Sequence, residues 1–321
     1  MGLWEYIFRR ILSAIPILFI VSLLSFFLIR LSPVDPLAQL KLNPAISEET
    51  IQKETKRLGL DKPIIVQYFY WAKNFVSGNM GYCTDNTKVS TKIKSRILNT
   101  FILSFLVILF SWVIAIPLGV LGAIYYNSLF DKFLTVITSA GMAIPSFFFA
   151  ILMLLFAQTT GWFPIGGLTS VDFSEMNLFH KILDLLWHLF LPVFVLTTIS
   201  LSSLMRQMRA NLLDVLDSEY VKFAYAKGLS KSKVIIKHAL RNAINPIITL
   251  LGFEFAGLLS GAALTEYVFQ YPGLGKLILE AAMQSDINLV MASLMMGSFM
   301  LIAGNLIADI LLKLTDKRVR V

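Results

Sequence analysis

Long stretches without a single charged side chain constrain this chain more than any other feature. Ile11 to Ile29, Ile97 to Phe130 and Phe133 to Val171 contain no Asp, Glu, Lys or Arg. A helix needs about 20 apolar residues to cross the ~30 Å hydrocarbon layer of a bilayer, and each of these runs offers that or more. Hydrophobic residues make up 56% of the chain and charged ones 15%, against roughly a quarter charged in soluble domains. The expected fold class is an all-α membrane protein.

About six transmembrane helices are expected. The first is Ile11–Ile29. The second and third fall near Thr100–Ile124 and Phe133–Gln158, with the remainder of those two long runs forming re-entrant, interfacial or loop backbone. The fourth runs from about Leu185 to Met205 and the sixth from about Leu289 to Leu312. The fifth, about Pro246 to Leu264, is interrupted by one acid, Glu254. Arg9 and Arg10 before the first run suit a signal peptide, but the apolar stretch exceeds the usual 7–15 residues and lacks a clear small-x-small site, so an uncleaved span is expected.

Lys and Arg in the short loops set the orientation. With a cytoplasmic N-terminus, the inner segments collect Arg9, Arg10, Lys132, the basic residues from Arg206 to Arg241, and Lys313, Lys317, Arg318 and Arg320. The short outer loops then hold only Lys181 and Lys276. The net charge of +8 is therefore mostly topology, and no nucleic-acid partner is needed to explain it. The loop from about 32 to 99 is too long for this rule. Within it, "SEETIQKETKRLGL" reads as a helix with Ser47 as N-cap and Gly59 as stop. The lone Cys83 has no intrachain partner and reads as a packed thiol.

The stretch "EYVKFAYAKGLSKSKVIIKHALRNAINP", Glu219 to Pro246, is strongly basic between two apolar segments. Val221, Ala224, Tyr225 and Gly228 fall at helical spacing, and Gly228 ends that helix because it tolerates positive φ. Ser230 is placed to cap a second helix, Lys231 to about Asn242, and Pro246 to open the fifth span. A headgroup-bound basic loop would explain the charge alone, but not the pattern of small residues.

This pattern resembles the cytoplasmic coupling loop of ABC importer permeases, in the family serving dipeptide, oligopeptide and nickel importers. That loop reads approximately E-Y-V-x-x-A-x-A-K-G-L and then H-A-L-R-N-A-x-x-P. Here Glu219, Tyr220, Val221, Ala224, Ala226, Lys227, Gly228 and Leu229 match, followed by His238 to Ala243 and Pro246. The resemblance extends through "RLSPVDPL", "LGLDKPIIVQYFYW", "AIPSFFFAILMLLFA…GWFPIGG", "EYVFQYPGLGKLILEA" and "NLIADILLKLTDKRVR". Val34 and Asn79 depart from the usual outer turns, and Glu254 stands where the family generally has a neutral residue.

The resemblance implies a type I importer permease of the B-type, with residues 1–31 as N-terminal segment and first span, and 32–99 as an extracytoplasmic loop. Residues 100–312 would form the core, with the coupling loop at about 206–245, and 313–321 a cytoplasmic tail. It implies a second permease, two ATP-binding subunits that use ATP and Mg, and a substrate-binding protein outside. It further implies a bacterial or archaeal-type cytoplasmic membrane, no cofactor on this chain, and no catalysis by it. Glu219, Tyr220, Ala224, Ala226, Lys227 and Gly228 would meet the ATPase, with Ala224 and Ala226 fitting a groove of that subunit. Glu266, Tyr271, Pro272 and Gly273 would form the outer mouth, meeting the binding protein or lining a gate.

Glu254, Gly257, Gly261 and Pro145 are the candidates for the translocation path or its gate. An ionisable group inside a span costs at least about 2.5 kcal/mol and so faces a cavity or a partner. Gly257 and Gly261 form a small-xxx-small step suited to close helix packing. Pro117, Pro145 and Pro192 are expected to kink spans.

Other chemistry lacks its residues. "PGLGK" misses the first Gly and the Ser or Thr of a phosphate loop. His180, His188 and His238 have no metal-ligand spacing. Ser260 in "LLSGAA" lacks the G-x-S-G frame and a later His of an intramembrane protease. A channel or insertase-like scaffold is the remaining alternative, and it has no use for the coupling loop.

Overall fold

The computed structural model describes residues 3–31, 37, 41, 46–57 and 59–315. They form α1 (Leu3–Leu31), α2 (Glu48–Arg57), α3 (Ile64–Val76), α4 (Val89–Ile124), α5 (Leu129–Ala143), α6 (Ser146–Thr160), α7 (Leu178–Leu216), α8 (Glu219–Ala226), α9 (Asn245–Val268), α10 (Leu274–Met283) and α11 (Ile287–Thr315). Among the described residues the only extended pairing is an isolated bridge between Tyr82 and Lys88. "RLSPVDPL" and the tail after Thr315 fall largely or wholly outside the described residues.

Among the described residues four helices are long and apolar enough to cross a membrane: Ile7–Leu31 within α1, all of α4, all of α7, and Ile287–Ile310 within α11. They contain the first, second, fourth and sixth expected spans. The fifth expected span lies inside α9, with Pro246 in its first turn. The third is not one straight helix. The α5 and α6 axes diverge by 97°, because ψ is 121° at Ile144 and 140° at Pro145, and neither value is helical. The proline ring disfavours the α region for its predecessor, and at Ile144 the chain leaves it and turns.

The center of the bundle is the pair α4 and α7, which pack against each other more extensively than any other two helices. A Cβ on Gly119 would lie 2.7 Å from the Met205 carbonyl oxygen, so the two backbones touch where the glycine stands. Ala115, Met205, Met208 and Leu212 fill the same layer. At ~1.5 Å per residue, the 39 residues of α7 extend about 58 Å, well past the hydrocarbon layer. Its last turns therefore carry the chain clear of the membrane to α8.

On the other side α9 packs on α11. Gly252 lies under the Asn305 side chain, and a Cβ on Gly304 would fall 2.8 Å from that of Phe255. The first helix joins this layer by packing on α11, where Arg10 pairs with Asp309 at 3.0 Å.

The segment between α1 and α4 is largely helical. Ser47 Oγ accepts the Thr50 amide at 3.3 Å and Gly59 has φ +65°, as the two helix-end signals anticipate. The next helix, α3, buries Tyr68 against Phe26 of α1, with its hydroxyl 2.8 Å from Ser22 Oγ. Further on, Thr84 N donates to Asp286 at 2.9 Å and Asn288 Nδ2 to the Tyr82 carbonyl at 3.0 Å. The hairpin around Cys83 is thereby fastened to the turn before α11.

Candidate functional site

The basic stretch folds as a helical hairpin. Its first limb is α8. Gly228 follows with φ +77°, and Leu229 N reaches back to the Ala224 carbonyl at 3.4 Å, which closes the helix end in the way a left-handed residue permits. The second limb is less regular than the sequence suggests: Lys231–Lys233, a π-helical stretch Val234–Ala239, then Leu240–Ala243. Ser230 stands at its N-cap without a side-chain capping bond. Asn242 Nδ2 donates to the Tyr220 hydroxyl at 2.7 Å and ties the limbs together.

Burial divides α8 into two faces. Val221 and Ala224 pack inward with Leu212, Val234 and Ala239, so Ala224 is small because of this chain's own core. That corrects the expectation that it enters a groove on another subunit. Glu219, Tyr220, Lys222, Phe223 and Ala226 line a shallow concavity of about 540 Å³ on the solvent side. Lys222 bridges Asp217 at 3.1 Å and Glu219 at 3.2 Å, and these carboxylates raise its ammonium above the ordinary lysine value. Lys227 lies over the Phe223 ring, 4.6 Å from its center. The exposed Phe223 was not singled out by sequence; an aromatic on the charged face of a short helix was the available signal.

A hydrogen bond from α7 ties the hairpin to the bundle. Asn211 of α7 reaches the Ala243 carbonyl at 3.4 Å. Nearby, Arg209 Nε and Nη2 donate to Asp131 of α5 at 2.5 and 2.7 Å. Arg209, one of the basic residues counted toward topology, is thus a link between helices.

The segment expected at the outer mouth is interior. Glu266 and Tyr271 are fully buried and Gly273 is also buried. The Glu266 carboxylate accepts the Lys276 amide at 2.8 Å and the Thr100 hydroxyl at 3.1 Å, while Thr100 Oγ1 accepts the Leu274 amide at 2.6 Å. It therefore satisfies the open N-terminus of α10. Tyr271 donates to the Asn99 carbonyl at 2.8 Å, and Asn99 Nδ2 to that of Pro272 at 2.9 Å. Burial pushes the Tyr271 phenol above its ordinary pKa. In this chain Glu266, Tyr271 and Gly273 form a clamp joining α4, α9 and α10, which corrects the expectation that they meet a binding protein and leaves the alternative, that they line a gate.

Glu254 sits between three helices. Its Oε2 accepts the Trp112 indole N–H of α4 at 2.8 Å and its Oε1 the Ser200 hydroxyl of α7 at 3.3 Å. One turn on, Gly257 is exposed with open space where a side chain would project. Gly261 follows on the same helix, and its surroundings lie outside the described residues. Pro145 is at the α5–α6 bend, away from these groups in sequence and on another element. The three histidines do not come together as a ligand set: His180 Nδ1 pairs with Asn177 and His188 Nδ1 with the Asp184 carbonyl.

Two family models cover the chain. Residues 3–114 match the N-terminal membrane component of binding-protein-dependent transport systems, and residues 115–321 match the inner membrane component of those systems. The chain is 38% identical over 317 residues to the oligopeptide transport system permease protein AppB of Bacillus subtilis (strain 168), covering 98% of each. It is 35% identical over 331 residues to the di/tripeptide transport system permease protein DppB of Pseudomonas aeruginosa (strain UCBPP-PA14), again covering 98% of each. With helices that fit a membrane and matches running from end to end, this chain belongs to the family of binding-protein-dependent transport system inner membrane components.

Proposed function

We propose that this chain is one of two membrane subunits of an ATP-driven peptide importer in the cytoplasmic membrane, with both termini on the cytoplasmic side. The observation that supports it best is the end-to-end similarity to permeases named for oligopeptide and di/tripeptide transport. A homologous second permease completes the path, two ATP-binding subunits dock beneath it, and an external binding protein delivers cargo. Those ATP-binding subunits use ATP and Mg, and this chain catalyses nothing. Nickel or another small solute is the alternative cargo.

In this reading the exposed face of α8, with Glu219, Tyr220, Phe223, Ala226 and Lys227, receives the motion of an ATPase subunit. Ala224 and Gly228 fix the angle at which that face is presented. The hairpin passes the motion to α7 and α9, between which it lies in the chain. Glu254, Gly257, Gly261 and Pro145 belong to the path or its gate, and the clamp around Glu266, Tyr271, Pro272 and Gly273 holds the opposite end of α9.

The test is uptake of a labelled tripeptide by proteoliposomes holding both permeases and both ATPases, with binding protein and ATP supplied. Uptake that requires all the subunits and ATP is expected. Peptide flux without ATP would favour a channel.

A further inference from the structure

Glu254 stands nine residues after Asn245, about 13 Å along α9 at 1.5 Å per residue. That depth puts a carboxylate within the hydrocarbon zone, where charge facing lipid is costly. Trp112 and Ser200 each give it one hydrogen bond, whereas a carboxylate accepts at about four positions. No cation among the described residues pairs with it. It is also only partly buried.

The helices that supply its two donors carry further hydroxyls without partners. Ser111, beside Trp112, and Thr197, one turn from Ser200, have buried hydroxyls without a hydrogen-bond partner. Gly257 leaves space on the face of α9 that carries Glu254. The two neutral donors orient the carboxylate and leave its charge uncompensated, which suits a transient cation better than a permanent one.

We propose that Glu254 receives the α-ammonium group of a peptide as it crosses, with Trp112 and Ser200 as positioning residues. This rests on the peptide-importer reading above. The ammonium offers three donors and a full charge to the unfilled acceptor positions, and binding that is neither preorganised on all sides nor dry allows release.

The experiment compares wild-type and Glu254→Gln permeases in the complete reconstituted importer, using trialanine and N-acetyl-trialanine. Selection by the binding protein is common to both permeases and cancels in the ratio of the two uptake rates. Glu254→Gln is expected to lower the preference for the free amine about tenfold. An unchanged preference would overturn the assignment, as would loss of the second permease from the purified complex, which would mean that a cation of that subunit is the partner. A second variant, Glu254→Cys, is treated with a cationic and an anionic methanethiosulfonate. Faster modification by the cationic reagent, slowed by transported trialanine, is expected. Absence of modification in every nucleotide state would overturn it. Failure of the wild-type complex to carry any peptide would instead overturn the peptide-importer reading itself.

Discussion

Asn242 donates to the hydroxyl of Tyr220 at 2.7 Å, joining two residues 22 positions apart across the turn at Gly228. The bond locks the exposed face of α8 to the limb that leads into α9. A force applied at Phe223 or Ala226 therefore acts on a rigid hairpin rather than on a loose loop.

Tyr220→Phe removes that bond and little else. One hydrogen bond of this kind contributes about 0.5–1.5 kcal/mol, so amide exchange in α8 should quicken roughly two- to tenfold. Hydrogen exchange read by mass spectrometry on the purified permease checks this. Unaltered exchange would mean that the apolar contacts of Val221 and Ala224 alone hold the hairpin.

The clamp at Glu266 has a similar test. Thr100→Val keeps the shape but leaves the Leu274 amide without its acceptor and Glu266 without a donor, at a cost of about 1–3 kcal/mol. Gly273→Val drives a side chain into the Glu266 carboxylate. Both should lower the thermal midpoint in detergent, whereas Pro272→Ala, at a partly exposed position, should change it less. Equal midpoints for all three would remove the clamp from the account of α10.

Cys83 is nearly inaccessible, and burial together with Asp286 pushes its thiol up to about 11. At pH 7–8 the reactive thiolate is scarce. A maleimide should leave the native protein unlabelled and label it once denatured. Rapid native labelling would contradict the packing of the hairpin on the turn before α11.

Much of the bundle was legible because an uncharged run long enough for a membrane has few other uses. The bend between α5 and α6 was hidden inside one such run, and only Pro145 marked it. Glu266 was misplaced for another reason. Its partner Thr100 is 166 residues away, so nothing near it in sequence distinguishes a buried cap from an exposed acid. Ala224 and Ala226 show the limit within a single helix. Both are small and both fit the motif, but two residues of helix turn them to opposite environments, one packed inward and one exposed. Glu254 was conspicuous as an acid in an apolar span, while its donors Trp112 and Ser200 became visible only in three dimensions.

Coupling through the hairpin is tested most directly by peptide transported per ATP hydrolysed in proteoliposomes. Ala226→Glu places charge on the exposed face of α8, and Gly228→Val strains a residue at φ +77° by roughly 1–2 kcal/mol. Both variants should insert normally yet lose the ATPases on purification or transport about tenfold less per ATP, while Lys231→Gln with Lys233→Gln stays near wild type. Full, coupled transport by the Ala226 and Gly228 variants, with the lysine variant losing its membrane orientation, would contradict coupling and make the hairpin a headgroup anchor.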